Sequence, residues 1–292
     1  MTPLDRLFRT PCTRLFAGGS PLNFYSGRTA GGPFVALPLL SLKFVEDLCT
    51  AYAWLQVRGY SHETIDEYMT MLEYKPASDF PGGRYPAPLA ALRIPADAWS
   101  DRGVNDLSLR LRNSAYAFIL AHELGHLVLG HRGYAGISMA EARQHEAAAD
   151  DFALDVLART STIPMGAILF FQAQVYMMPN PGQFKAAGKS AQDWENAVRK
   201  EMTHPLTADR LRAIALGLDR AARRETREAE RETLRSIGGR LASMALILDD
   251  VDLQQCMAVA SRRASLVDLA PRRPGSTGSF LEKCVKKGGG RR

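Results

Sequence analysis

The stretch from Phe118 to Leu129 restricts this chain more than any other. His122, Glu123 and His126 stand there among Phe118, Ile119, Leu120, Leu124, Leu127, Val128 and Leu129. So apolar a segment is expected to be buried. A buried helix does not carry two imidazoles and a carboxylate unless something compensates them. The pattern predicts a helix opening at Asn113 or Ser114 and ending near Gly130. On a helix, residues four apart share a face about one turn apart, so the two imidazoles converge on one point. Glu123 lies on the turn between them. Two histidines and a glutamate in this HExxH spacing can hold one zinc ion and place a carboxylate beside it. The plainer alternative is three satisfied polar residues on a helix face.

A second pattern favours the metal. Ser138 and Glu141 make a capping box, and the periodicity that follows runs to about Arg159. This helix carries Glu146-Ala147-Ala148-Ala149-Asp150. Catalytic zinc usually takes three protein ligands and leaves a fourth position open. Glu146 is the natural third ligand. Asp150, one turn on along the same face, is placed to accept the ring N–H of a ligand histidine and fix its tautomer. The three alanines let the two helices pack closely.

The rest of the chain reads as mostly helical with a little sheet. The first 40 residues are rich in Gly, Pro and Arg and predict loops and short strands. Helices are expected from Phe44 to Arg58 and from a Ser61 cap to about Leu72, and a proline-rich loop over 75–90. Leu92 to Ile94 and the alternating run Asp106 to Arg112 are the candidate strands. Further helices are expected from Pro164, over Ser190 to Thr203, and from Thr207, with the charged stretch Asp219 to Arg235 interrupted at Gly238-Gly239 and a last helix ending near Ala260. The segments expected are 1–100 packing on the core, a core over 101–218, charged helices over 219–262, and a basic disordered tail over 263–292.

Taken together, HExxH followed by ExxAD resembles the Glu-zincin metallopeptidases. Glu146-x-x-Ala149-Asp150-x-Phe152-Ala153 is similar to the ImmA/IrrE-type peptidases, which cleave repressors. The run from His122 to His131 resembles these and the phage-exclusion Lit-type peptidases. His204-Pro205, with Arg210 five residues on, looks like the HPxxxxR element of HtpX-type and CAAX-prenyl-protease-type enzymes. The likeness covers roughly Asn113 to Leu216. It implies an α+β, mostly helical fold with a zincin-like core, a Zn2+ cofactor on His122, His126 and Glu146, and Glu123 as the base. It gives His204 the task of stabilising the tetrahedral intermediate. Arg210 is a candidate anchor for Asp150 or for the substrate carbonyl. Cys12 is a candidate fourth ligand that would keep the enzyme latent, because a thiolate binds zinc well. His131 is expected at the helix C-terminus, favoured by its dipole. His145 is expected about 100° off the Glu146 face.

Composition narrows the setting. Of 292 residues, 46% are hydrophobic, enough for a sizeable core without staples. No run is long and apolar enough for a membrane span, and no signal-peptide core follows Met1. Four unpatterned cysteines argue against a disulfide framework, so the chain is read as reduced and cytoplasmic. The net charge of +6 belongs to the end of the chain, where nine basic residues stand against two acids from Arg262 onward. Such a tail solubilises or binds nucleic acid. The expected function is limited zinc-dependent cleavage of a regulatory protein, such as a repressor in a stress or antiphage response. The alternatives are cleavage of an essential host factor in phage exclusion, and a zinc-containing module that binds nucleic acid or a protein partner.

Overall fold

The structure is a computed structural model and describes residues 21–131, 133, 136–177, 184–185, 187–201, 204, 206–281 and 284, without the side chains of 177 and 198–201. Helix accounts for 69% of the described residues, and the sheet among them is a single antiparallel pair. The fold is therefore α+β and mostly helical. None of the described helices is long and apolar enough to cross a membrane.

The chain divides into two compact units. One holds residues 21–22, 39–112 and the described part of 255–292; the other holds 23–38 and the described part of 113–254. This division differs from the expected segments, because residues close in space come from both ends of the sequence.

The first unit contains α1 (Leu39–Arg58), α2 (Glu63–Tyr74) and the short α3 (Pro88–Ala91). Phe44, Leu48, Leu55, Ile65, Tyr68 and Met69 form its core. Gly59, at φ +67°, ends α1, and the Ser61 hydroxyl accepts the Glu63 N–H at the start of α2. Residues 92–94 are not a strand: Arg93 adopts φ +54° in a turn. The basic segment beyond Arg263 is also not a disordered tail where it is described. Leu269 and Leu281 are buried, Lys75 donates to the carbonyls of Arg262 and Ala264, and Arg272 pairs with the buried Glu67. Glu67 also accepts the Phe280 N–H at 2.9 Å. A buried carboxylate gathers this segment's donors, which composition alone does not reveal. Cys256 and Cys284 are joined in a disulfide, which corrects the expectation of four reduced cysteines. Their proximity comes from the fold-back of residues 264–281, not from any spacing rule. Cys49 is free and buried.

The long helix α4 (Arg102–Val128) overturns the second strand expectation. Asp101 caps it by accepting the Val104 N–H at 3.1 Å. The leucines at 107, 109 and 111 alternate, but the buried positions are Val104, Ser108, Leu111, Ala115 and Phe118. That spacing is helical, and the longer period prevails over the local one.

The second unit contains the hairpin β1 (Tyr25–Thr29) and β2 (Gly32–Ala36), with Tyr25 opposite Ala36 and Thr29 opposite Gly32. Arg28 donates to the Leu127 carbonyl at 2.7 Å, in the last turn of α4, where the helix leaves carbonyls unpaired. The unit also contains α5 (Met139–Arg159), α6 (Ala167–Met177), α7 (Ala191–Glu201), α8 (Ala208–Arg224) and α9 (Glu228–Asp249), and α10 (Val251–Arg263) begins in it. The Ser114 hydroxyl accepts the Gly166 N–H at 2.8 Å and fixes the approach to α6. The break expected at Gly238-Gly239 is absent, since α9 runs through both. A Cβ at Gly238 would lie 3.2 Å from the Ala215 carbonyl oxygen, so this glycine serves close packing on α8. The helical path breaks instead before Glu228 and at Asp250.

Candidate metal centre

Two helices and one connection assemble the site. α4 presents His122, Glu123 and His126 from successive turns. The Ser138 hydroxyl caps α5 through the Glu141 N–H at 3.1 Å, as the capping box requires, and α5 presents Glu146 and Asp150. Gly125 allows the two helices to meet: a Cβ there would stand 3.2 Å from Ala149 Cα and 3.2 Å from Phe152. His204 lies on the connection between α7 and α8. Arg210 lies in the first turn of α8, where the Thr207 hydroxyl accepts its backbone N–H. His122, Glu123, His126, Glu146, Asp150 and Arg210 are all buried.

The donor atoms converge. His122 Nε2 and His126 Nε2 are 3.1 Å apart. Glu146 Oε2 is 3.5 Å from the first and Oε1 is 3.3 Å from the second. His204 Nδ1 is 3.0 Å from Glu146 Oε1 and 3.4 Å from His122 Nε2. The group His122, His126, Glu146 and His204 could hold a metal ion, with its donor atoms all within 4.8 Å of one another. Zinc bonds of 2.0–2.2 Å at tetrahedral angles set neighbouring donors about 3.3–3.5 Å apart, so the spacing fits that ion.

The second layer agrees. His122 Nδ1 lies 2.9 Å from Asp150 Oδ1, and His126 Nδ1 lies 3.0 Å from His131 Nδ1. If each ligand ring donates its Nδ1–H outward, both Nε2 lone pairs face each other at 3.1 Å, and a cation between them relieves that opposition. Arg210 grips Asp150 with two bonds, at 2.7 and 2.9 Å, and reaches Glu146 Oε2 at 2.7 Å.

These charges set the protonation states. Burial works against ionising Glu146, yet Arg210 and His204 outweigh it and hold the carboxyl well below its ordinary range. Asp150 is lowered against the same burial by Arg210 and His122. Glu123, also opposed by burial, is lowered chiefly by His204. Burial lowers His126, with Glu146 only partly opposing it. The carboxylates are thus charged.

Of the residues singled out from sequence, His122, Glu123, His126, Glu146, Asp150, His204 and Arg210 come together. Arg210 is turned to Asp150 and Glu146. His204 Nε2 lies 3.1 Å from Glu123 Oε1 and 3.2 Å from the Phe24 carbonyl oxygen. Cys12 lies outside the described residues. One partner was missed: His131 touches His126 and stacks on His145, with ring centroids 4.0 Å apart. Gly130 supplied the signal. At φ +70° it makes the turn in which the His131 N–H bonds back to the His126 carbonyl. That turn carries His131, the third residue beyond Val128, back onto His126, the third from the helix end. A cleft of about 570 Å³ opens on the site, lined by β1 residues Tyr25 to Arg28 and by Glu123, His126 and His204.

Residues 86–229 match the family model Peptidase U49, a span that includes every residue of the cluster. No curated protein and no solved structure matches the chain. The family match supports a peptidase.

Proposed function

We propose that the chain is a zinc-dependent endopeptidase that makes limited cleavages in a regulatory protein, with His122, His126 and Glu146 as ligands. One observation carries this reading. The donor cluster opens on a cleft beside a buried carboxylate, Glu123, whose Oε2 makes no hydrogen bond among the described residues. When bound, zinc supplies a Lewis acid for the scissile carbonyl and makes nearby water easier to ionise.

The chain's own residues do the rest. Glu123 takes the proton of the attacking water at Oε2 and passes it to the leaving amine nitrogen as the C–N bond breaks. His204, between Glu123 and Glu146, donates a hydrogen bond to the negative charge that develops on the carbonyl oxygen. Asp150 and His131 hold the two ligand rings, and Arg210 holds Asp150 and Glu146. The edge of β1 away from β2 offers an extended peptide main-chain partners along the cleft. The motif resemblance directs the substrate reading toward a repressor or another regulator in a stress or antiphage response.

Glu123→Gln tests the assignment. It should retain zinc and lose turnover by about 10²–10⁴-fold. N-terminal proteomics in the source cell, with and without DNA damage, should then show a few new N-termini only with the wild-type protein. New N-termini that appear equally with Glu123→Gln, at matched expression, would remove the endopeptidase reading.

A further inference from the structure

Three of the four donors are fixed by helices, and the fourth is not. His122 and His126 lie one turn apart on α4, and Glu146 sits on α5 where Ala149 meets Gly125. His204 stands between the end of α7 at Glu201 and the cap of α8 at Thr207. Yet its Nδ1 lies as close to Glu146 and His122, at 3.0 and 3.4 Å, as the other donors lie to one another, at 3.1–3.5 Å. Those separations are close to the roughly 3.3 Å expected between two ligands of one zinc ion, and one donor atom from each of the four residues lies within 4.8 Å of the others.

We propose that His204 is a fourth protein ligand in the resting protein, binding through Nδ1, and that the peptidase is latent until His204 leaves. The inference rests on the zinc-peptidase reading and deepens it. A catalytic zinc site keeps one position for water and substrate, whereas a site filled by four side chains is closed. The far nitrogen of His204 supports the assignment. Nε2 lies 3.1 Å from Glu123 Oε1, and a ligand histidine characteristically donates its other N–H to a carboxylate or a carbonyl. Phe24 O, at 3.2 Å, is the second acceptor within reach. Glu123 therefore has two tasks. In the closed state it orients the blocking imidazole, and once His204 withdraws the same carboxylate is released to act as base. His204 itself lies in a bend, outside α7 and α8, and lines the cleft, so its withdrawal breaks no helix. His204 is then beside the cleft, where it can meet the substrate oxygen.

X-ray absorption on the zinc-loaded full chain, wild type and His204→Ala, decides the matter, with cobalt-loaded samples challenged by acetohydroxamate. The wild type should show three imidazoles, and its cobalt absorption should not respond to the hydroxamate. His204→Ala should show two imidazoles and a visible band that shifts on addition. Two imidazoles and a hydroxamate-sensitive band in the wild type would overturn latency and leave the peptidase reading standing. A wild-type chain that takes up no zinc would overturn both. If His204→Ala does not fold, the wild-type imidazole count still decides.

Discussion

At position 131 the ideal helix misleads. Five residues past His126, a side chain on a continuing helix would point about 140° away from it. The left-handed Gly130 instead turns His131 back onto His126, Nδ1 to Nδ1 at 3.0 Å. His131→Ala should therefore lower zinc affinity by about tenfold. The fold should persist, since His131 is only half-buried; a chelator competition reads the first and circular dichroism the second. Asp150 is more deeply committed. It holds His122 and takes both arms of Arg210, so Asp150→Asn leaves Arg210 and Glu146 poorly balanced in a buried site. Zinc affinity should fall 10–100-fold and stability by about 3 kcal/mol. An unchanged chelator titration would show that Asp150 does not orient His122. These residues differ in how far sequence exposed them. His122, His126, Glu146 and Asp150 were legible because helical spacing alone puts them on shared faces. His204 and Arg210 were legible only as a motif, since the bend before α8 brings them in. His131 depended on the sign of one backbone angle.

Among the elements, the decisive contact is that of α4 with α5. Gly125, inside the HExxH motif, has no side chain where Ala149 Cα and Phe152 approach. A methyl group there meets backbone at 3.2 Å, and backbone yields less readily than a side-chain tip. Gly125→Ala should push α5 outward and carry Glu146 away from the two histidines. We expect weaker zinc binding, with the helical content of the chain preserved. Wild-type zinc affinity in this variant would mean that Phe152 turns aside and the helices stay in place. The same physics explains the misread elements. Gly238 looked like a helix breaker, but it serves close packing within α9. The leucines at 107, 109 and 111 looked like a strand because the buried positions of α4 recur over a longer period than that run displays. Local pattern identifies an element reliably when its period and its burial agree, as they do in α5.

At the scale of the whole molecule, the chain keeps its chemistry and its staple in different units. Every cluster residue belongs to the unit containing 113–254, whereas Cys256 and Cys284 belong to the other. The crosslink spans 28 positions and holds the C-terminal segment whose Arg272 and Phe280 N–H satisfy the buried Glu67. Burial pushes the Glu67 carboxyl up, with Arg272 only partly opposing it, so loss of this segment would leave a poorly paired acid in the core. Constraining a loop of this length lowers the entropy of the unfolded chain by an amount worth about 3.5 kcal/mol. Cys284→Ser, or reduction of the wild type, should lower the denaturation midpoint accordingly. Trp54 and Trp99 report on this unit. Zinc content and the metal shell should not change, because no ligand lies in the part that loosens. Equal stability with and without reductant would show that the two sulfurs are not joined in solution. Loss of zinc on reduction would show that the two units do not act independently.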